Sequence, residues 1–167
     1  MQLTNKAILL YNIKTDPDTG YEVYHPTLIT GVSYFTRTIV GLDKSGMLAA
    51  NLHTIRVPID ADFCGKQYVA PVDYQDADPE KCFTFKVGDI IVASALVEDH
   101  DIIDGDKNRI RTPDGHYLVY EYIRGYADNR NLRPAEIQKL FGDIVTVVGV
   151  TDNRGARCAP HWKLEGK

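Results

Sequence analysis

From Phe141 to Lys167 the chain reads FGDIVTVVGVTDNRGARCAPHWKLEGK: a β-branched run, a polar turn and a returning His-Trp segment. Ile144, Val145, Thr146, Val147, Val148, Val150 and Thr151 suit a pleated, mostly buried strand, where branching at Cβ packs well against neighbours. Asp152, Asn153 and Gly155 then supply turn chemistry, two by bonding their own backbone and one by tolerating positive φ. A strand, turn and strand here close a small β-domain and bring no reactive constellation with them. The chemistry of this stretch reads as structural.

The rest of the chain continues in short apolar runs with turn residues between them. Ala7 to Asn12 is a candidate strand, and Asp16-Pro17-Asp18-Thr19-Gly20 is a turn. Tyr21 to Tyr24 and Thr27 to Phe35 read as strands broken at Pro26, which has no N–H to give a ladder, so the chain opens on an antiparallel meander. Val40 to His53 shows no clear pattern and stays unassigned, with one helical turn at Met47 to Leu52 as an option. Thr54 to Ile59 recovers strand character, and Pro58 marks a sheet edge or strand end. Residues 60 to 82 form a long acidic excursion, pinned to the body through Tyr68, Val69, Val72 and Tyr74. Phe83, Phe85 and Val87 alternate with polar residues, Gly88-Asp89 turns the chain, and Ile90 to Ala95 follows, which reads as a hairpin-like pair in the core. A second polar excursion, Glu98 to Gly115, leads to a strand at His116 to Tyr122. One short helix is expected from Pro134 to Phe141, with Gly142 as its C-cap. Short strands at irregular spacing without βαβ alternation predict an all-β fold, a small barrel or sandwich over residues 1–167, with one short helix and two long loop excursions.

A chain of 167 residues fits one domain that needs neither metals nor disulfides to hold it together. Cys64, Cys82 and Cys158 are odd in number and lack a C-x-x-C pair, so packed free thiols are expected. No apolar run approaches the ~20 residues a bilayer crossing requires, and MQLTNKAILLYN has neither a basic region nor a cleavage site; the expectation is a protein made in a cytoplasm and free of membrane. Net charge is −4, which sets no global field toward nucleic acid. The distribution is uneven: residues 1–59 carry +1, 60–106 carry −9 and 107–167 carry +4. Such asymmetry suits head-to-tail contact between identical copies, and it equally suits a solvated surface.

Glu98, Asp99, Asp101, Asp104 and Asp106 resemble a calcium loop in composition, but Arg109 stands where the glycine should be and Gly115 where a bidentate glutamate should be. A small metal-dependent enzyme using Asp99, His100, Asp101 and Asp104 is nevertheless the alternative from another class. The five histidines are scattered singly, and Cys158-x-x-His161 supplies two ligands only. No phosphate-cradling glycine motif occurs. Arg124, Arg130, Arg133, Arg154 and Arg157 form the one basic cluster, a third reading being sequence-neutral nucleic-acid binding. The residues therefore predict no catalytic group, no cofactor and no metal site, and a protein that is not an enzyme.

Several segments together, ILLYN (8–12), GVSYF (31–35), TIRVPI (54–59), FKVGDIIV (85–92) and LFGDIVTVVGVTDNRG with HWKLEGK (140–155, 161–167), resemble phage and prophage head-to-tail connector proteins of the head-closure or stopper type. That resemblance implies a homo-oligomeric β-barrel ring in the virion neck, assembled in the host cytoplasm. Portal or head-tail adaptor proteins and tail proteins would be its partners, and double-stranded DNA would pass through it and be retained. A tail terminator is the neighbouring alternative. Asn153, Arg154, His161 and Trp162 are the candidate interface residues, since tryptophan and arginine are enriched where partners meet. For Trp162 a core anchor is the simpler reading.

Overall fold

A computed structural model describes residues 6–44, 46–92, 96–98, 110–111, 116–118 and 144–167. Six strands make the body: β1 (Lys6–Thr15), β2 (Glu22–Asp43), β3 (Gly46–Pro58), β6 (Ile90–Val92), β10 (Val145–Asn153) and β11 (His161–Gly166). All neighbouring pairs are antiparallel, and the order β1-β2-β3-β11-β10-β6 closes on itself, with β6 bonded to β1 and β10. The fold is all-β, as the composition predicts, and closure leaves each strand of the body a partner on both sides over part of its length. Smaller elements attach to it. β4 (Gln67–Tyr68) and β5 (Cys82–Phe83) pair in parallel around a one-turn helix, α1 (Pro71–Tyr74), while β7 (Leu96–Glu98), β8 (Ile110–Arg111) and β9 (His116–Leu118) form a separate sheet in the order β7-β9-β8.

The apolar run of β1 is buried on both faces. Ile8 and Leu10 point into the core cluster, while Ala7, Leu9 and Tyr11, on the opposite face by strand alternation, are buried as well. Such a strand reads as a continuous apolar run for that reason. The turn after it matches expectation: Asp16 accepts N–H bonds from Asp18 (3.0 Å) on its carboxylate and from Gly20 (2.8 Å) on its carbonyl, and Gly20 takes φ +71°.

Pro26 does not break the next strand. Thr30 exchanges two backbone bonds with Asp62 (3.0 and 3.1 Å), so the even positions of this stretch direct their N–H and C=O away from β1. Pro26 occupies one of these positions, where β3 does not run; its missing N–H costs no ladder bond, and its carbonyl accepts from Lys66 Nζ at 2.9 Å. Gly31 then forms a bulge at φ +81°, between the pairs Ala7↔Thr30 and Lys6↔Val32, and past it β2 bonds to β3. The stretch 40–53, which shows no clear pattern in sequence, is strand as well, paired from Val40↔Ala49 to Asp43↔Gly46. No helical turn forms at 47–52.

The excursion 60–82 covers the edge that β2 leaves open. Lys66 Nζ donates to Pro26 O (2.9 Å), Thr27 Oγ1 (3.2 Å) and Pro79 O (2.9 Å), and Lys14 Nζ donates to Ala77 O (2.7 Å). Tyr74 is buried and Tyr68 packs on the core, as expected, whereas Val72 is 78% exposed and pins nothing. Replacing Lys66 with methionine keeps the aliphatic stem and deletes three charge-assisted bonds. A loss of about 2 kcal/mol is expected, roughly 4–8 °C in Tm, with proteolysis beginning within 60–82.

Three further expectations need correction. Phe83 to Val87 and Ile90 to Val92 do not form a hairpin with each other: β5 pairs with β4, β6 joins the barrel, and the backbone of Thr84 is bonded by the side chain of Asn12. Val87 is 63% exposed because it sits in the turn Lys86–Asp89, whose Gly88 takes φ +97°. Among the three thiols, Cys64 and Cys158 are exposed and only Cys82 is half-buried, since the first two lie in tight turns where Cys64 and Ala159 adopt φ of 52° and 50°. The expected helix at Pro134 to Phe141 and most of the 98–115 excursion lie outside the described residues.

Candidate interaction surfaces

The core beneath the β10–β11 end is aromatic. Trp162 is 4% exposed and packs tilted against Tyr68 at 4.7 Å and Phe85 at 5.4 Å, with Phe63 edge-on at 6.3 Å. Its indole is therefore a core anchor of this chain. Above it lies Arg154, its guanidinium carbon 4.9 Å from the Tyr68 ring centre and 5.0 Å from that of Trp162. The same guanidinium donates from Nε (3.0 Å) and from its terminal nitrogen (2.6 Å) to the Asp152 carboxylate, which holds that carboxyl below the usual range. Asn153 and His161 are register partners across the hairpin, with Nδ2 3.4 Å from Nε2, and His161 Nδ1 lies 2.7 Å from Ala159 O. The four candidate interface residues do come together at one end of the barrel. Arg154 is committed to a carboxylate and two rings there, an arrangement that seals the core from above.

Buried inside is a polar knot that ties β1 to the turn 86–89 and to β10. Asp89 is fully buried; Oδ2 accepts from Asn12 Nδ2 (2.8 Å) and Lys86 N (3.1 Å), and Oδ1 accepts from Ile13 N (3.2 Å). Asn12 in turn gives its other N–H to Thr84 O (2.7 Å) and takes one from Thr84 N (3.3 Å), while Lys86 Nζ donates to Ile13 O. Burial pushes the Asp89 carboxyl up to about 6, against the opposing pull of its three N–H donors. Burial, with Asp89 the next cause, also raises the Tyr74 hydroxyl. A perturbed buried carboxyl is a signature of active sites, yet each oxygen here is spent on a backbone or amide donor. The geometry does what a structural knot does.

Two features remain at the surface. The first is a ribbon: β2 and β3 stay paired beyond Lys6 on one side and Gly166 on the other, so residues 37–52 form a two-stranded hairpin whose edges bond to no third strand among the described residues. Its base is fastened where the hydroxyls of Tyr34 and Thr36 lie 2.8 and 3.1 Å from His53 Nδ1, and Thr38 donates across the ladder to Asn51 at 3.0 Å. Apolar side chains are exposed along it, Phe35 by 51%, Ile39 by 40%, Val40 by 59% and Leu42 by 89%. Alternation puts Phe35 and Ile39 on one face and Val40 and Leu42 on the other. The second is a cleft of about 640 Å³ at the opposite end of β3, walled by Pro58, Ile59, Ala61 and Pro160, with Asp60 and Asp62 at its rim. Neither feature was anticipated from sequence. Thr36-Arg37-Thr38-Ile39-Val40 does carry a strand signature that could have marked the ribbon.

Among the described residues no group of three or more His, Cys, Asp or Glu is placed to hold a metal ion, and no helix is long and apolar enough to cross a membrane. Asp99, His100, Asp101, Asp104, Arg124, Arg130 and Arg133 lie outside the described residues. What fold and surface define is an all-β protein, a closed barrel bearing a projecting apolar ribbon. Over residues 3–167 the chain matches, and belongs to, a family of unknown function, DUF6751. No curated protein and no solved structure gives a match.

Proposed function

We propose that this chain is a ring-forming structural protein of the phage neck, of the head-closure or stopper type, docking between portal or adaptor and tail and helping to retain packaged DNA. The observation that carries the reading is the ribbon of residues 37–52, which exposes Ile39, Val40 and Leu42 where β2 and β3 run on past their last bonds to β1 and β11. Exposed apolar surface on an unpaired two-stranded arm is costly to keep unless a partner covers it, and unpaired edges favour a polypeptide partner. The resemblance of the connector-like segments favours a partner in a head-to-tail junction. Exposed Asp73, Asp76, Asp78 and Glu80 on the docked excursion suit a surface that duplex DNA passes without sticking.

The test is incubation with purified portal or adaptor rings of its phage, followed by size-exclusion chromatography and electron microscopy. Co-elution as a ring stacked on the template supports the reading. Absence of binding to either ring removes it.

A further inference from the structure

We infer that the buried knot of Asn12, Lys86 and Asp89 forms an intramolecular isopeptide bond, joining Lys86 Nζ to Asn12 Cγ with loss of ammonia and tying β1 covalently to the turn 86–89. The inference goes beyond the ring-forming reading and does not depend on it. An amine, a carboxamide and a carboxyl held together in a water-excluded site are the groups that such a bond requires.

Three observations carry it. First, the groups meet at one step of β1: Asp89 Oδ2 accepts from Asn12 Nδ2 at 2.8 Å, Asp89 Oδ1 accepts the Ile13 N–H at 3.2 Å, and Lys86 Nζ donates to the carbonyl of the same Ile13. Rotation about the last bonds of the half-buried Lys86 side chain carries the amine from that carbonyl toward Asn12, the preceding residue of the strand. Second, the Asn12 amide is held as an electrophile. Its Oδ1 accepts the Thr84 N–H at 3.3 Å, a donor aimed at the oxygen on which charge develops, and its Nδ2, the leaving nitrogen, donates to Asp89 and to Thr84 O at 2.7 Å. Third, Asn12 and Asp89 are fully buried, so water does not compete for the amide, and a carboxyl pushed up to about 6 by burial both takes and returns a proton near neutrality. Groups fixed in this way need no bimolecular encounter. The step balances within the chain. The Lys86 ammonium gives one proton to the Asp89 carboxylate, and the freed lone pair forms the Nζ–Cγ bond. Asp89 then returns that proton to Nδ2 and takes a second from Nζ as the Cγ–Nδ2 bond breaks. Ammonia leaves and carries the second proton away as ammonium, so Asp89 ends as a carboxylate and no outside reactant is consumed.

Intact mass of the full chain tests it. Incubated folded at pH 7 and then denatured, the protein is expected to weigh about 17 Da less than its sequence, the mass of one ammonia. Cyclisation of Gln2 or of an asparagine to a succinimide gives the same loss, so a tryptic digest with tandem mass spectrometry locates it. The expected product is a branched peptide joining the fragment that holds Asn12 to the one that holds Lys86, with no cleavage after Lys86. Lys86→Arg keeps a cation for the Ile13 carbonyl but supplies no nucleophile, because a guanidinium stays protonated, and should abolish the branched peptide. Asp89→Asn keeps the shape and removes the proton relay, and should cut the yield by about tenfold or more. Circular dichroism checks that both variants fold; where one does not, the mass of the parent decides. The inference is overturned if the parent keeps its full mass, if the loss maps to Gln2 or to a succinimide while Lys86 stays in a linear peptide, or if Asp89→Asn gives the branched peptide at the parent's yield.

Discussion

Trp162→Ala is expected to cost 3–5 kcal/mol and to lower Tm by roughly 10–15 °C, because it empties the centre of the aromatic cluster. The indole is 4% exposed, lies within 6.3 Å centroid distance of three other rings and carries the Arg154 guanidinium on its outer face. Removing it leaves a cavity between Tyr68 and Phe85 and strips Arg154 of one of its two ring contacts. Trp162→Phe should cost far less, about 1–2 kcal/mol, since the buried indole Nε1 has no hydrogen-bond partner and its removal relieves an unsatisfied donor. Thermal melts by circular dichroism check both variants, and in the parent the single tryptophan makes fluorescence a direct reporter of this cluster. A Trp162→Ala protein that melts with the parent but fails to associate would mean that the ring serves an interface.

Asp89→Ala should be comparably damaging, roughly 3–5 kcal/mol at pH 7, because it orphans N–H groups from Asn12, Ile13 and Lys86 in the interior. Asp89→Asn separates shape from charge. An amide oxygen can replace Oδ2, but its NH₂ then faces the Ile13 N–H, so a loss of about 1–3 kcal/mol remains. The pH dependence follows from burial, which pushes the folded carboxyl up to about 6 from an ordinary 3.8. Between these values the folded state binds a proton that the unfolded state has released, so this group's contribution is fully present below about pH 4 and is lost as pH rises through about 6. The loss is roughly 3 kcal/mol. Urea melts of the parent and of Asp89→Asn at a series of pH values should show a difference in stability that narrows as pH rises across that window. A constant difference would mean that Asp89 is ionised in the folded protein throughout.

The barrel was legible where local and tertiary demands agree. In Val145 to Asn153 and His161 to Gly166 β-branched residues and turn chemistry point one way, and strand, turn and strand are found there, but the first strand is not mostly buried: only Val145 and Val147 are buried, and Val148 is 45% exposed. Pro26 misled because its effect depends on which edge of β2 lacks a partner, a fact about residues 62 and 66, not about its neighbours. Residues 40–53 were opaque because a ribbon exposed on both faces has no apolar–polar alternation to read. The Asp89 knot was hidden for a different reason: Asn12 and Asp89 stand 77 positions apart, and nothing local distinguishes a turn aspartate from a buried one. Trp162 was recognisable as an anchor, and Arg154 beside it only as a cation. Its engagement with Asp152 and with two rings is a product of the fold.

A division of labour runs through the molecule. The closed barrel, the aromatic cluster and the Asp89 knot hold the chain together, and the ribbon carries β2 and β3 outward past their last bonds to β1 and β11. Excising residues 37–52 and joining Thr36 to His53, a cross-strand pair, through Asn-Gly tests that division directly. The expected result is a protein whose Tm stays within about 4 °C of the parent, a change of about 1–2 kcal/mol, and which no longer binds portal or adaptor rings or its own copies. An unfolded product, or one that assembles as the intact chain does, would contradict it.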